Sequence, residues 1–307
     1  MIIHLEGGGR FGNQIINLIH FTGGYFFHPE LKIYSTQFLT YFGYLDLHKL
    51  LDKKYNKHRK PINRYQRVFL LRILPVLIIN AHKFIPGFKL FITNDSMLKK
   101  KHFLFNFKKE DSYKLDSSFF DVCKNNTCLC AGWSFRNWNY VEEKGDEIRN
   151  ILSNFFSLNK NSLQERIGAH IRSTDFETHA GGSLFFDANQ WVIAIDKLAR
   201  KLNGKSILLT GDDKEVVDHV YQSLILKGHT HINISNGSNM MNGNLFHAFQ
   251  DLYESKYIIS AGSSFALAAS WLRDGSVYDI DDILSNRFAP VCCSDFKSHD
   301  KFKLNWK

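Results

Sequence analysis

The sequence lacks a run of the ~20 apolar residues that a membrane-spanning helix needs. Its longest apolar run, residues 73–81 of 307, is interrupted by Pro75 and Asn80. It also lacks the basic region of a secretory signal, because residues 1–6 contain no Lys or Arg and are followed by three glycines. These absences predict a protein without a signal peptide or spanning segment, either soluble or bound to a membrane surface.

Paired cysteines are also lacking, since the chain has five, and Cys292 and Cys293 are adjacent. A secreted disulfide scaffold normally has an even, spaced set, so we expect a reducing, cytoplasmic environment. Cys123, Cys128 and Cys130 form no C-x-x-C pair and have no matching histidines, which argues against zinc. A composition of 44% hydrophobic and 22% charged residues excludes disorder and predicts one or two globular domains.

Positive charge is concentrated in one segment of the chain. The formal net charge is +9, whereas residues 53–109 alone contain 15 Lys and Arg against one acid, Asp95. Many apolar residues lie between these cations. This pattern is typical of a segment on an anionic bilayer, or of a buried helical hairpin with solvated lysines. No nucleic-acid-binding module is recognisable, so we expect no nucleic-acid partner.

Strand and helix patterns alternate along the chain in two stretches, separated by an irregular middle. Strands are predicted over residues 2–6, 31–34, 166–171, 206–210, 257–260 and 277–280, and helices over residues 13–26, 187–202, 244–255 and 265–272. Such alternation indicates parallel sheets covered by helices, and therefore two α/β domains that meet near residues 155–165. Ligands of such sheets bind at the carboxyl ends of the strands, so the loops there are the candidate sites.

The first such loop is rich in glycine. Residues 7–12 read G-G-G-R-F-G between a strand and a helix, as in nicotinamide-binding proteins. That fingerprint also needs an acid at the end of the second strand, where residues 34–36 offer none. The glycines alternatively form a tight turn, or the turn directs Arg10 toward an anionic substrate.

The strand predicted over residues 166–171 ends next to an arginine. His170 and Arg172 share one face of this strand because strand side chains alternate. The planar guanidinium of Arg172 suits a diphosphate, which it can bind through two parallel hydrogen bonds. The alternative is a structural ion pair of Arg172 with Asp175 or Asp212.

Residues 260–265 read as a strand end, a small turn and a helix start. Backbone N–H groups and the hydroxyls of Ser263 and Ser264 would bind an anion there, although serine is also a common N-cap. Asp212 and Asp213 follow another strand, where they could bind a ribose or a guanine N–H, or cap the next helix.

Asp279 and Asp281 form a D-x-D pattern, which in other proteins holds a divalent metal under a nucleotide-sugar. The pattern lies after most of the predicted sheet. We therefore favour a turn at these two aspartates over a metal site.

In their order along the chain, four blocks resemble the fucosyltransferase superfamily that uses GDP-fucose, and within it the bacterial α1,2-fucosyltransferases of glycosyltransferase family 11. The blocks span residues 9–272. Residues 9–14 are similar to G-R-[FL]-G-N-Q, residues 170–175 to H-x-R-R-x-D, residues 210–213 to [ST]-D-D, and residues 255–272 to the block around N-S-[ST]-F.

The blocks also depart from the family pattern. Ser173 replaces the second arginine of H-x-R-R, Gly262 replaces the asparagine of N-S-S-F, and Leu267 or Ala268 replaces the first tryptophan of its block. These departures leave room for a related GDP-deoxysugar, such as a colitose donor, in place of GDP-fucose.

The resemblance implies a GT-B-like α/β fold with two Rossmann-like domains facing a cleft. Residues 1–160, with the insertion at about 53–109, would form the acceptor side, and residues 161–307 would bind the GDP-sugar. The implied reaction is an inverting, metal-independent transfer, α1,2 to galactose, in the synthesis of surface polysaccharide such as O-antigen or capsule. The expected location is cytoplasmic, with peripheral contact to an anionic inner membrane that presents a lipid-linked glycan acceptor.

The resemblance also implies roles for individual residues. Arg172 would stabilise the departing GDP, Glu177 and His179 are candidate bases for the acceptor hydroxyl, and Asp175 would orient their loop. The residues expected to bind the donor are Arg10, Gly12, Asn13, His170, Asp212, Asp213, Ser263, Ser264 and Phe265. No metal or further cofactor is expected.

Three other functions stay open at this point. One is a metal-dependent GT-A glycosyltransferase that uses Asp279 and Asp281. The second is a nicotinamide oxidoreductase that uses the turn at residues 7–12, and the third is a non-catalytic protein that binds membranes or polyanions.

Overall fold

The structure, a computed structural model, describes residues 1–5, 11–35, 45–46, 74–81, 84–94, 108–132, 134–173, 177, 179–235 and 245–303. The chain divides into two compact units, Met1–Phe155 and Phe156–Lys307. The predicted division between residues 160 and 161 lies close to this boundary. Most of the predicted insertion at 53–109 lies outside the described residues. The roles expected of the two units stay predictions.

The N-terminal unit is built on a five-stranded sheet with the order β3-β2-β1-β6-β4, in which β3 is antiparallel and the other strands are parallel. Its strands are β1 Ile2–Leu5, β2 Ile33–Ser35, β3 Leu45–Asp46, β4 Phe88–Ile92 and β6 Thr127–Ala131, with a separate pair formed by β5 Tyr113–Lys114 and β7 Phe135–Arg136. Its helices are α1 Phe11–Phe27, α2 Leu74–Ala81, α3 Ser117–Lys124, α4 Trp138–Glu143 and α5 Gly145–Phe155.

The prediction of an irregular middle was wrong for the described residues between 108 and 155. Strand β6 pairs with both β1 and β4, so it occupies the interior of the sheet, with α3 before it and α4 and α5 after it in the chain. Residues 127–131 form a short, almost continuous apolar run, which is how a strand buried on both faces reads. Cys128 and Cys130 are part of that run as buried free thiols.

The C-terminal unit is built on a six-stranded sheet with the order β10-β9-β8-β11-β12-β13, parallel except for β13. Its strands are β8 Gln164–Ile171, β9 Ser206–Gly211, β10 Ile232–Ile234, β11 Ser255–Ser260, β12 Ser276–Asp279 and β13 Val291–Cys292. Its helices are α6 Ala188–Lys201, α7 Lys214–Leu226, α8 Leu245–Tyr253, α9 Ser264–Leu272 and α10 Ile280–Leu284.

Local sequence signals explain where the elements of this unit begin. Helix α6 starts with a capping box, in which the Asp187 carboxylate accepts from the Gln190 backbone N–H and the Gln190 side chain accepts from the Asp187 N–H. Trp191 and Ile195 on its inner face are fully buried against the sheet. Helix α7 was not predicted, although Val217, Val220 and Leu224 are its buried face at helical spacing.

None of the helices in the described part of the chain is both long and apolar enough to cross a bilayer.

The N-terminal unit contains buried histidines that make its stability depend on pH. Burial lowers the pKa of His4 to about 4, and His4 lies beside the rings of Phe21 and Phe135. Burial also holds the pKa of His20 well below its ordinary value. Since the unfolded chain takes up protons near pH 6.5 and folded His4 does not, stability is lost as pH falls from 6.5 toward 4.

We expect the free energy of unfolding of this unit to drop by about 2 kcal/mol between pH 7 and pH 5 for His4 alone, as measured by urea denaturation. In a His4→Phe variant the drop should shrink by that amount. Phenylalanine keeps the ring contacts, and the carbonyl of Gly132, which His4 contacts at 3.1 Å, still accepts from the Asn17 side chain at 3.2 Å. An unchanged pH profile in His4→Phe would contradict the assignment.

Candidate active site

The topology of the C-terminal sheet identifies one edge as the candidate ligand site. From β8 the chain moves outward to β9 and β10, and it later returns to the other side of β8 to form β11 and β12. Ligands of open α/β sheets bind at such a reversal, outside the carboxyl ends of the two strands. The carboxyl ends of β8 and β11 therefore bound the candidate site.

Arg172 directly follows β8 and is buried, with 8% of its surface exposed. Its Nε lies 3.1 Å from Oδ2 of Asp212, whose side chain is 1% exposed. The other carboxylate oxygen of Asp212 accepts from the backbone N–H of Ser173 at 3.0 Å. The ion pair that the sequence left open as an alternative is thus present, with Asp212 as the partner, and it fixes the position of the guanidinium. Asp175, the other partner considered, lies outside the described residues.

A close backbone approach brings Asp212 to Arg172. Gly211 ends β9, and a Cβ atom there would lie 2.9 Å from the carbonyl oxygen of Ile171 and 2.5 Å from Cγ2 of Val217. The Asp212 N–H donates to the same Ile171 oxygen at 3.3 Å. Only glycine leaves the ends of β8 and β9 close enough for the ion pair to form.

His170 connects β8 to strand β9 and to helix α9, which follows β11. Its Nδ1 lies 2.9 Å from the hydroxyl oxygen of Thr210, which itself donates to the Ala169 carbonyl at 3.3 Å. The hydroxyl therefore accepts from Nδ1–H of His170. The imidazole stacks on the ring of Phe265 in α9, with centroids 4.6 Å apart and planes at 24°. These contacts bring the ends of β8, β9 and β11 together as one site.

The turn before α9 is internally hydrogen-bonded. The Ser260 hydroxyl accepts from the N–H groups of Gly262 and Ser263 at 3.0 and 2.9 Å, and the Ser263 hydroxyl caps α9 by accepting from Phe265 N–H at 3.3 Å. Three N–H groups that we expected to face an anion therefore have hydroxyl partners. The positive end of the α9 dipole and the hydroxyl hydrogens remain as the groups that this turn offers to an anion.

The other predicted site residues are placed as follows. Gly12 and Asn13 lie in the first turn of α1, buried and partly buried. Glu177 is exposed, and His179 begins a short 3-10 helix, His179–Gly182, in the loop after β8. Arg10, like Asp175, lies outside the described residues. The roles of all these residues stay predictions.

Asp213 has the structural role that the sequence left open as an alternative. Its carboxylate accepts from the backbone N–H groups of Glu215 and Val216 at 2.9 and 3.4 Å and thereby caps α7. The donor-binding role expected of Asp213 stays a prediction.

The two aspartates of the D-x-D pattern have separate partners. Asp279 ends β12, where its carboxylate caps α10 by accepting from the Asp281 N–H at 3.0 Å, and Asp281 pairs with the ammonium of Lys301. The oxygens of Asp279 and Asp282 and a ring nitrogen of His299 lie within 4.8 Å of one another and could hold a cation. Burial raises the pKa of Asp279. Nε of Arg287 donates to the Asp282 carboxylate at 2.9 Å.

The last described residues cover this edge of the sheet. Phe296 and Phe302 are fully buried, and His299 Nε2 lies 3.6 Å from Oδ2 of Asp279. The Lys301 ammonium lies 4.5 Å from the ring centroid of Phe186, in the loop after β8. A Cβ atom on Gly262 would lie 3.3 Å from the Lys301 carbonyl oxygen. The C-terminal segment, residues 293–303, thus supports the loops after β8 and β11.

Sequence reasoning missed a buried polar cluster in the N-terminal unit. Arg136 is 9% exposed, and its Nη1 donates to the Asn17 side chain at 2.6 Å. Asn17 in turn donates to the carbonyl of Gly132, which directly follows β6. The carboxyl ends of β1 and β6 form the reversal point of this sheet, so the cluster lies at the edge where its ligands would bind. The signal in the sequence that could have indicated this cluster was the polar residue Asn17 within a largely apolar predicted helix.

No family model and no curated protein matches the sequence. Among solved structures, one of POFUT1 in complex with GDP is similar over 91% of this chain and 97% of its own, with a TM-score of 0.50 and 12% identity. One of E. coli heptosyltransferase WaaC with ADP is similar over 94% and 91%, with a TM-score of 0.44 and 10% identity. The likeness to POFUT1 shows the fold, and the predicted GT-B-like α/β class is confirmed.

Proposed function

We propose that this chain is an inverting, metal-independent glycosyltransferase that moves fucose, or a related deoxysugar, from a GDP-sugar to a glycan hydroxyl. The observation that carries the proposal is the convergence of a buried cation, Arg172, with His170 and the start of α9 at the reversal point of the C-terminal sheet. This is where a parallel sheet binds a nucleotide, and where a departing diphosphate needs positive charge.

The chemistry follows from what must be stabilised. The bond between the sugar C1 and the diphosphate oxygen breaks, and its electron pair stays on GDP. The acceptor oxygen bonds to C1 from the opposite face, which inverts the configuration, and its proton passes to a base. Arg172 and the positive end of α9 stabilise the charge on GDP. The candidate bases are Glu177 and His179, since their loop follows Arg172 directly and Glu177 is exposed.

The donor class is supported by two independent features. The sequence blocks at residues 170–175, 210–213 and 255–272 resemble those of enzymes that use GDP-fucose, and each block includes the carboxyl end of a strand of this sheet. The structure of POFUT1 with which the chain shares its fold was solved with GDP. For the acceptor we propose a galactose of a surface polysaccharide precursor, joined α1,2 and carried on a lipid at a cytoplasmic membrane face.

The cluster of Asp279, Asp282 and His299 favours one second candidate, a metal-dependent glycosyltransferase. It would differ from the D-x-D arrangement considered from the sequence, because Asp281 is paired with Lys301. EDTA separates the two functions: GDP release that survives EDTA supports the proposal, whereas loss of turnover that Mn²⁺ or Mg²⁺ restores supports the metal-dependent enzyme. Hydride transfer with a nicotinamide cofactor would support the oxidoreductase alternative instead.

A further inference from the structure

Three bulky apolar side chains of the N-terminal unit face solvent within a short stretch of chain. Leu77, Phe84 and Ile85, which we call the apolar patch, are 55%, 77% and 45% exposed. Leu77 is exposed because of its position in helix α2. Ile79 is buried in a cluster with Ile92 of β4, and Leu77, two positions earlier in the helix, lies on the opposite side. Phe84 and Ile85 lie in the turn that leads from α2 into β4.

The apolar patch lies next to positive charge at the amino edge of the sheet. The turn before β4 accepts a hydrogen bond from Thr127 at the start of β6. Met1, at the start of β1, is exposed and carries the terminal ammonium. Exposed lysines, Lys32 and Lys89, lie just before β2 and near the start of β4.

Two described acids lie at this edge, and one lysine offsets one of their two charges. Glu30 and Asp121 both pair with Lys124, at 3.3 and 3.1 Å. In the sequence, Lys83 directly precedes the patch, and the surrounding residues 53–109 carry 15 Lys and Arg against one acid. The edge therefore combines exposed apolar side chains with a net excess of cations.

We propose that the apolar patch docks this chain on an anionic lipid bilayer. Phe84 and Ile85 insert at the level of the headgroups, and the cations of the amino edge lie on the lipid phosphates. Docking at the amino edge leaves the opposite edge of this sheet, where β1 ends at Leu5, available to a substrate. The inference goes beyond the proposed function, because the binding needs no glycosyl transfer.

The test is flotation of the full chain with vesicles made of equal parts phosphatidylcholine and phosphatidylglycerol. We expect the protein to float with these vesicles, to float less as salt is raised, and to stay behind with pure phosphatidylcholine. A Phe84→Ser/Ile85→Ser variant should bind about tenfold more weakly or worse, because each side chain loses its contact with the acyl boundary.

A matched control is available in the C-terminal unit. Ile225 and Leu226 are also adjacent and exposed, at 42% and 88%, so Ile225→Ser/Leu226→Ser removes equivalent apolar surface elsewhere. This variant should float like the wild type. Flotation of the Phe84→Ser/Ile85→Ser variant at the wild-type level, or no flotation of the wild type, would overturn the proposal. The proposal would also be overturned if neither protein floats and sedimentation shows that the wild type is a dimer while the patch variant is a monomer. Transfer to a water-soluble acceptor should be unchanged in both variants, which keeps this result separate from the test of the reaction.

Discussion

Replacing Arg172 with alanine is expected to lower kcat for sugar transfer by about 100- to 1000-fold, the typical loss when a preorganised group that stabilises transition-state charge is removed. Stability should fall too, by about 3–5 kcal/mol, because the buried Asp212 carboxylate would lose its cation. Turnover must therefore be measured per folded molecule, with the folded fraction taken from urea denaturation.

Two further variants separate the reaction from the fold. In Arg172→Met/Asp212→Leu both charges are gone, so stability should largely return while turnover stays lost. Arg166 lies near the other end of β8 and is also 8% exposed, with Nε donating to the Ser255 hydroxyl at 2.9 Å. Arg166→Ala should therefore cost stability but leave the kcat of the folded protein unchanged. Wild-type kcat in a folded Arg172→Ala variant would refute the assignment of Arg172.

Replacing Gly262 with asparagine is expected to lower both the stability and the donor affinity of this protein. Asparagine is the residue at this position in the family that the sequence resembles. Gly262 has a φ of +88°, and a side chain would meet the Lys301 carbonyl oxygen at 3.3 Å and Leu184 at 3.4 Å. Strain at such a position costs about 1–3 kcal/mol, so the free energy of unfolding should fall by that amount. The turn that starts α9 would also move, and we expect KM for the donor to rise about tenfold or more, since small misplacements at a site have large effects.

Gly204 provides the matched control for this substitution. It lies in the same unit, has a φ of +70°, and has open space where a Cβ would be placed. Gly204→Asn should lower the free energy of unfolding only through backbone strain, and it should leave KM for the donor unchanged. If Gly262→Asn has wild-type stability and KM, the departure from the family pattern at this position is incidental and the contact with the C-terminal segment has no importance.

Elements with a strong local signal could be predicted from the sequence. The apolar runs of β8, β9 and β11 and the capped helix α6 were placed within about two residues of their observed bounds, which is the usual uncertainty of helix and strand ends. Strand β6 was missed because its alternating cysteines were weighed only as possible zinc ligands and not as apolar residues of a buried strand. Ile280 was assigned to the last parallel strand, whereas it begins α10 because Asp279 caps that helix.

The candidate site could be predicted only in part, for a physical reason. Loop residues directly after strands were found because topology alone brings strand ends together, and Arg172 with Asp212 is an example. The support of Gly262 by Lys301 depends on how the C-terminal segment packs on the sheet, and no local pattern near either residue encodes that contact. The same holds for the cluster of Asp279, Asp282 and His299, because His299 joins it through that segment.

Whether Arg172 and the start of α9 act on a GDP-sugar can be measured as GDP release from GDP-fucose. The assay would compare GDP-fucose and related GDP-deoxysugars with UDP- and ADP-sugars, each with EDTA or with Mn²⁺, in the presence of a free or lipid-linked galactoside. We expect turnover of a GDP-deoxysugar that is insensitive to EDTA and absent in folded Arg172→Ala protein. No turnover of any GDP-sugar, together with metal-dependent turnover of another nucleotide-sugar, would contradict it.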